Sequence, residues 1–362
     1  MHKKLIIAGG GTGGHIFPAI AIANALQRQN PSIEILFVGA KGKMEMEKVP
    51  QAGYDIKGLD IAGFNRRSLI KNISLPFKLI KSFFQVREIF KTFRPDAVIG
   101  VGGYSTFPVL KYAQSKGIPT FIHESNSFAG KANILLGKNA TKVFTASDGM
   151  EKFFPADRIL VTGNPVRKSI AAMSITREAA LQYFSLSPDK ITVLVVGGSL
   201  GARSINEAVI AHVDELLKAG LQLIWQTGKT LSKEAMEIAV EHKEIWANEF
   251  ITEMEYAYAA ADIIMARAGA MTVAEICVAH KPVIFVPYPF ATEDHQTVNA
   301  LQLVNKGAAW LVKDDAAKDS AIEKVIELAK DEATRRQMSG VLTTLSVTNA
   351  DERVANEILK TI

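Results

Sequence analysis

Cysteine is almost missing from this chain, with Cys277 the single one among 362 residues. No intramolecular disulfide can form, so the fold must be held by its core. The seven histidines are scattered, and no Cys/His cluster of metal-ligand spacing occurs. Long apolar runs are missing too. No stretch of about 18 uncharged apolar residues exists, which excludes a membrane-spanning helix. Only four apolar residues follow Met1-His2-Lys3-Lys4 before a glycine run, too few for a signal-peptide core. An intracellular chain is expected, soluble or held at a membrane surface. Charge of one sign is also lacking, since 42 Lys and Arg face 37 Asp and Glu. So small a surplus gives no reason to expect nucleic acid as a partner.

What is present is an ordinary globular mixture, 48% apolar and 22% charged. Its length exceeds the roughly 250–300 residues at which one core stops growing, so two domains are expected. Short apolar runs alternate with helical stretches. Leu5–Ala8, Ile33–Val38, Ala97–Val101, Thr120–Ile122 and Lys142–Phe144 read as strands. Continuous rather than alternating apolarity suits parallel strands buried on both faces. Pro18–Gln29 carries Ala19, Ile22, Ala23 and Leu26 on one helical stripe. The series restarts at Ile191–Val196, followed by Leu221–Trp225, Asp262–Met265 and Pro282–Val286. Gly163-Asn164-Pro165 is the expected boundary. Asn349–Ile362 reads as an amphipathic helix with Val354, Ile358 and Leu359 on one face. The class is α/β, with two Rossmann-like domains of parallel sheet facing a cleft.

Each half opens with a strand, a glycine loop and a helix. The first loop is Gly9-Gly10-Gly11-Thr12-Gly13-Gly14-His15 and the second Gly197-Gly198-Ser199-Leu200-Gly201-Ala202-Arg203. Backbone N–H groups and the positive helix end in such a place suit phosphate. The same glycines can serve merely as tight turns. Gly9, Gly11 and Gly14 fit G-x-G-x-x-G, but a dinucleotide site wants an acid at the end of the second strand. Glu34 opens that strand and Phe37-Val38-Gly39 ends it, which disfavours NAD. Gly228-Lys229-Thr230 ends like a Walker A loop, yet position 223 is Leu rather than Gly.

Seven motifs in order are more specific. They are Gly10–His15, Gly102-Gly103-Tyr104, His123-Glu124-Ser125-Asn126, Gly163–Arg167, Gly197–Arg203, Arg267–Glu275 and Asp294–Ala300. Over essentially its whole length the chain resembles the MurG family of bacterial peptidoglycan glycosyltransferases, GT-B enzymes of family 28. The resemblance implies inverting transfer of GlcNAc from UDP-GlcNAc to the 4-hydroxyl of MurNAc in undecaprenyl-diphosphoryl-MurNAc-pentapeptide (lipid I), giving lipid II. It implies an N-terminal acceptor and membrane-associating domain at 1–164 and a UDP-GlcNAc domain at 165–344. The C-terminal helix, 345–362, is expected to pack back on the first. Other GT-B enzymes, a UDP-sugar epimerase or a glycolipid synthase, stand as the alternative. A regulatory module that binds UDP-GlcNAc without turnover is the non-enzymatic one.

By the same resemblance, Gly269, Ala270, Met271 and Thr272 present backbone to the nucleotide, and Glu275 accepts hydrogen bonds from both ribose hydroxyls. Ser199 holds the UDP diphosphate, Arg167 supplies positive charge and the Ile251 backbone reads the uracil edge. His295 and Gln296 meet the GlcNAc hydroxyls, and Thr12, Gly13, Gly14 and Asn126 complete the sugar-nucleotide contacts. Gly13, Gly14, Gly103 and Tyr104 form the expected seat of the acceptor diphosphate. Inversion in one displacement needs a base for the attacking hydroxyl, and His15 is the candidate, with Glu124 the rival. Aligned N–H donors and Arg can stabilise departing UDP, so no cofactor and no bound metal are expected. No DxD-like pair is suitably placed, since Asp314-Asp315 fall in a late loop.

Residues 64–94 hold eight Lys and Arg against one acid, Glu88. Apolar residues lie between them, which suits an anionic lipid surface. Lys71, Phe77, Lys78, Lys81 and Phe84 are the expected patch. A helix packed on the sheet with a solvated basic rim explains the same pattern. The resemblance implies a peripheral enzyme at the cytoplasmic face of the bacterial cell membrane, working beside other cell-wall synthesis and division proteins.

Overall fold

The computed structural model describes residues 2–63, 75–198 and 201–362. Lys71, Ser199 and Leu200 lie outside the described residues. The chain divides into two compact units, Met1–Arg167 with Asn349–Ile362, and Lys168–Thr348.

The first unit runs β1 (Lys4–Ala8), α1 (Gly13–Gln29), β2 (Glu34–Ala40), α2 (Glu45–Gln51), β3 (Asp55–Leu59), α3 (Leu75–Phe93), β4 (Ala97–Gly100), α4 (Thr106–Ser115), β5 (Thr120–Glu124), α5 (Lys131–Gly137), β6 (Lys142–Thr145) and β7 (Ile159–Val161). Its seven strands are all parallel, in the order β3-β2-β1-β4-β5-β6-β7. Leu5, Ile7, Ile99 and Phe121 face one helical layer, and Ile6, Ala8, Val98 and Ile122 the other. Burial on both sheet faces is what turns these strands into continuous apolar runs. The chain reverses its direction of winding between β1 and β4. Loops leaving those two strands at their carboxyl ends therefore lead to helices on opposite faces of the sheet, the place where ligands of such sheets bind.

The second unit continues with α6 (Lys168–Ala171), α7 (Arg177–Tyr183), β8 (Ile191–Val196), α8 (Arg203–Lys218), β9 (Leu221–Gln226), α9 (Ser232–Glu241), β10 (Ile245–Asn248), α10 (Met254–Ala260), β11 (Ile263–Ala266), α11 (Ala270–Ala279), β12 (Val283–Phe285), α12 (His295–Val304), β13 (Ala309–Leu311), α13 (Ala317–Lys330) and α14 (Glu332–Leu345). Its six parallel strands run β10-β9-β8-β11-β12-β13, with the same reversal between β8 and β11. Both units are Rossmann-like doubly wound sheets. The last helix, α15 (Ala350–Thr361), belongs to the first unit. Val354, Ala355 and Ile358 enter the core formed by α1 and β1, and Arg28 pairs with Asp351 at 2.9 Å.

Two differences from the sequence reading have physical causes. The outer strands β3, β7, β10 and β13 escape it because none is a long buried apolar run: β3 and β10 carry polar residues, and β7 and β13 are three residues long and partly exposed. Helix α1 begins at Gly13 rather than Pro18, because the Thr12 carbonyl already accepts the His15 and Ile16 N–H groups.

Candidate active sites of the two units

In the first unit the loops after β1 and β4 meet. Gly10 N–H donates to the Gly102 carbonyl at 3.1 Å. A Cβ on Gly103 would stand 2.3 Å from the Gly10 carbonyl oxygen, and its φ of +94° is in the left-handed region, so only glycine fits there. His15, in the first turn of α1, lies against this junction. Its Nδ1 is 3.1 Å from the Gly10 carbonyl and 3.4 Å from Thr12 Oγ1. A carbonyl only accepts, so Nδ1 carries the proton and Nε2 the lone pair of the neutral ring. The ring rests on the Cα of Gly102, where a Cβ would come within 2.6 Å of Nε2. The half-exposed Tyr104 ring covers Gly63 on the same side. Thr12, Gly13, Gly14, His15, Gly103 and Tyr104 are thus brought together at one switch point.

Glu124 ends β5 and is buried. Its Oε1 accepts the Asn126 N–H at 3.0 Å, and its Oε2 accepts Asn133 Nδ2 at 2.8 Å and the Gly130 N–H at 3.1 Å. Both oxygens are spent ordering the loop that carries Asn126. Arg167 closes the first unit with its guanidinium 5.5 Å from the Phe17 ring centre.

In the second unit the switch-point loops follow β8 and β11. Gly269, extended at φ −64° and ψ 143°, caps α11, and Ala270, Met271 and Thr272 make its first turn. Glu275, further along that helix, is 8% exposed and accepts the Tyr258 hydroxyl at 3.1 Å. Packing against α10 has withdrawn this carboxylate from bulk solvent. Gln296, at the start of α12, accepts the Tyr288 N–H at 2.9 Å, and His295 precedes it. Glu293 and Asp294 enter that helix with φ of 56° and 53°, a strained approach for non-glycine residues. The Ile251 N–H donates to Gln226 Oε1 at 3.0 Å, which leaves the backbone carbonyl for the expected contact with a base.

Arg267 is the residue sequence reasoning undervalued. It is nearly buried, and Nη1 donates to the Val286 and Pro287 carbonyls and to Asp314 Oδ1 at 2.8, 3.1 and 2.5 Å. Nη2 donates to Ser204 Oγ at 3.1 Å. One guanidinium thus ties the exits of β11 and β12 to the start of α8, with Asp314 neutralising it. Asp314 therefore serves Arg267 and stands in no pair with Asp315. Among the described residues no group of three His, Cys, Asp or Glu side chains is placed to hold a metal ion.

On α3, Ser82, Val86 and Phe90 face inward, while Phe77, Ile80 and Phe84 stay exposed. Lys78 lies on the exposed side. Lys81 is exposed as well and forms an ion pair with Asp60 at 2.9 Å, beside Lys41. The two ammonium groups push the Asp60 carboxyl down to about 2. No helix among the described residues is long and apolar enough to cross a membrane.

Two doubly wound parallel-sheet units, each with its own switch point, define a two-domain Rossmann-like architecture. The chain matches the glycosyltransferase family 28 N-terminal domain over residues 5–145 and the family 28 C-terminal domain over 192–354, and it belongs to that family. A relative from Phocaeicola vulgatus is 51% identical over 99% of this chain and 96% of its own. It is named UDP-N-acetylglucosamine--N-acetylmuramyl-(pentapeptide) pyrophosphoryl-undecaprenol N-acetylglucosamine transferase. The crystal structure of Acinetobacter baumannii MurG, 30% identical, covers 99% of both chains with a TM-score of 0.80. A UDP-GlcNAc 2-epimerase from Neisseria meningitidis shares the fold at 15% identity and a TM-score of 0.68, covering 99% of this chain and 100% of its own.

Proposed function

We propose that this chain transfers GlcNAc from UDP-GlcNAc to the 4-hydroxyl of MurNAc in undecaprenyl-diphosphoryl-MurNAc-pentapeptide, with inversion, forming lipid II. The observation that carries this is full-length identity of 51% to a relative named for that transfer. The epimerase alternative has the shared fold alone behind it.

In this reading the first unit holds the acceptor and the second most of the donor's contacts, with Arg167 and Asn126 of the first unit adding to them. The diphosphate of the acceptor sits at Gly13, Gly14, Gly103 and Tyr104. His15 Nε2 takes the proton of the MurNAc hydroxyl while Gly10 keeps the other proton on Nδ1. That arrangement favours His15 over Glu124, whose oxygens are already engaged. The attacking oxygen bonds to the anomeric carbon as the bond to UDP breaks. Ser199, Arg167 and backbone N–H groups at Gly269–Thr272 meet the negative charge that leaves. Glu275 receives the ribose hydroxyls, Ile251 lies by the base, and His295, Gln296 and Asn126 fix the sugar. The enzyme works as a peripheral protein on the cytoplasmic face of an anionic membrane, where Phe77, Phe84 and Lys78 of α3 meet lipid.

Release of UDP from UDP-GlcNAc, with and without a lipid I analogue, tests the reading. Acceptor-dependent release is expected. Acceptor-independent release, or a 2-epimer among the products, overturns it. His15→Ala should lower kcat at least about 100-fold, the lower range of general-base assistance. Its UDP-GlcNAc affinity should stay unchanged. A fall of less than tenfold removes His15 as the base.

A further inference from the structure

We propose that Glu45 is a positioning residue for this reaction, its buried carboxylate shaping the Gly10–Gly11 turn that sets the tautomer of His15. The proposal rests on the reading of His15 as the base. Glu45 opens α2 and is 1% exposed, an unusual place for a carboxylate. Burying such a charge is costly unless hydrogen bonds replace its water. Two backbone donors do so. Oε2 accepts the Gly11 N–H at 2.7 Å and Oε1 accepts the Ala40 N–H at 2.9 Å. One side chain therefore clamps the end of β2 to the turn after β1.

The surrounding sequence is cut to fit this side chain. A Cβ on Gly10 would stand 2.2 Å from Glu45 Cδ, and one on Gly39 would stand 2.5 Å from its Cγ. Both positions hold glycine because Glu45 fills the space a side chain would need. Gly11 N–H points at the carboxylate, and this fixes the peptide that follows Gly10. The Gly10 carbonyl is thereby held where His15 Nδ1 reaches it at 3.1 Å. The path from Glu45 to the base is short: carboxylate, Gly11 N–H, Gly10 carbonyl, imidazole. If the clamp relaxes, the Gly10 carbonyl can turn away, and the proton can move to Nε2. An imidazole protonated there cannot accept the acceptor's proton.

Glu45→Gln is the sharp variant. It keeps the volume and one acceptor, but sets an NH2 group against one of the two backbone donors. Turnover with a lipid I analogue should fall about 100-fold in kcat, the loss that about 1 Å of misplacement can cause. UDP-GlcNAc affinity, read by calorimetry, should not change, and this also reports that the second unit remains folded. Long-range proton–nitrogen spectra of 15N-histidine protein should find His15 with its proton on Nδ1 in the wild type. In Glu45→Gln the signal should shift toward the Nε2-protonated form. A wild-type His15 protonated on Nε2 overturns the proposal without any variant. An unchanged spectrum with kcat within twofold in Glu45→Gln overturns it as well. Full turnover by His15→Ala strikes the base reading instead, and with it any effect of Glu45 through the imidazole.

Discussion

His123 lies near the end of β5 with its ring inside the first unit, Nε2 3.5 Å from the Gly163 carbonyl and Nδ1 3.4 Å from Ser125 Oγ. Burial pushes its pKa down to about 4; the Gly163 contact opposes the shift and the charge of His15 adds to it. The unfolded chain protonates this residue near 6.5, the folded one near 4. Between those values the unfolded state binds the extra proton, so stability is full above about pH 6.5 and falls as pH drops toward 4. The window spans about 2.5 units, or about 3.5 kcal/mol at about 1.4 per unit, of which about 3 is lost by pH 4. Chemical unfolding followed by far-ultraviolet circular dichroism at pH 7 and pH 4 measures it. His123→Gln should lose about 3 kcal/mol less than the wild type across that interval. Equal losses would show that His123 does not carry the acid sensitivity. Neither this histidine's burial nor the partners of its neighbours could be read along the chain. Glu45 meets Gly11 across 34 residues, Arg267 meets Asp314 across 47, and Ile251 meets Gln226 across 25. Sequence reading identified the glycines at the switch points because their spacing is local. It missed the side chains that hold those glycines in shape, because only the closed sheet brings them near.

Helix α3 carries an inward stripe and an exposed apolar and basic face side by side. Ser82, Val86 and Phe90 repeat at four-residue intervals and seat the helix on the sheet. Phe77, Ile80 and Phe84 follow on another face, exposed by 73%, 57% and 62%. Water-facing phenylalanines contribute nothing to this unit's core, and their grouping is what a lipid-facing surface would need. Each Phe buried in lipid would be worth about 1.5–3 kcal/mol, and each nearby cation about 1. Phe77→Ser with Phe84→Ser should therefore weaken binding to phosphatidylglycerol vesicles at least tenfold. Lys78→Ser should weaken it about fivefold. Lys81→Ser should do less, because Asp60 already engages that ammonium. Vesicle sedimentation at low salt decides it, and unchanged binding in the double phenylalanine variant would show that the stripe meets something other than lipid. Elements were legible where burial was two-sided, as in β1, β4, β8 and β11. Edge strands such as β3, Asp55-Ile56-Lys57-Gly58-Leu59, were not, because an outer strand needs no unbroken apolar run.

At the scale of the whole molecule the chain leaves the first unit after Arg167, builds the second, and returns with α15. The first unit thus depends on residues that follow the second in sequence. Ile358 and Val354 are fully buried against α1, so the returning helix supplies part of the first unit's core. The tryptophans make the two units separable in an experiment. Trp225, Trp246 and Trp310 all fall within Lys168–Thr348, so tryptophan fluorescence reports the second unit alone. Circular dichroism reports both. A chain of two units need not unfold in one step, so no single midpoint describes it. Ile358→Ala removes a fully buried side chain, at a cost of about 2–5 kcal/mol. The loss should appear as a circular-dichroism phase at lower urea, with the fluorescence midpoint unmoved. Saturating UDP-GlcNAc should act in the opposite place. At about 100 times its dissociation constant it adds about 2.7 kcal/mol to whatever binds it. With the donor seated in the second unit, it should raise the fluorescence midpoint and leave the Ile358→Ala phase where it was. A fluorescence midpoint that falls with Ile358→Ala by as much as the circular dichroism would mean that the units unfold together. A donor that stabilises only the dichroism phase would place UDP-GlcNAc in the first unit and reverse the assignment of the two sites.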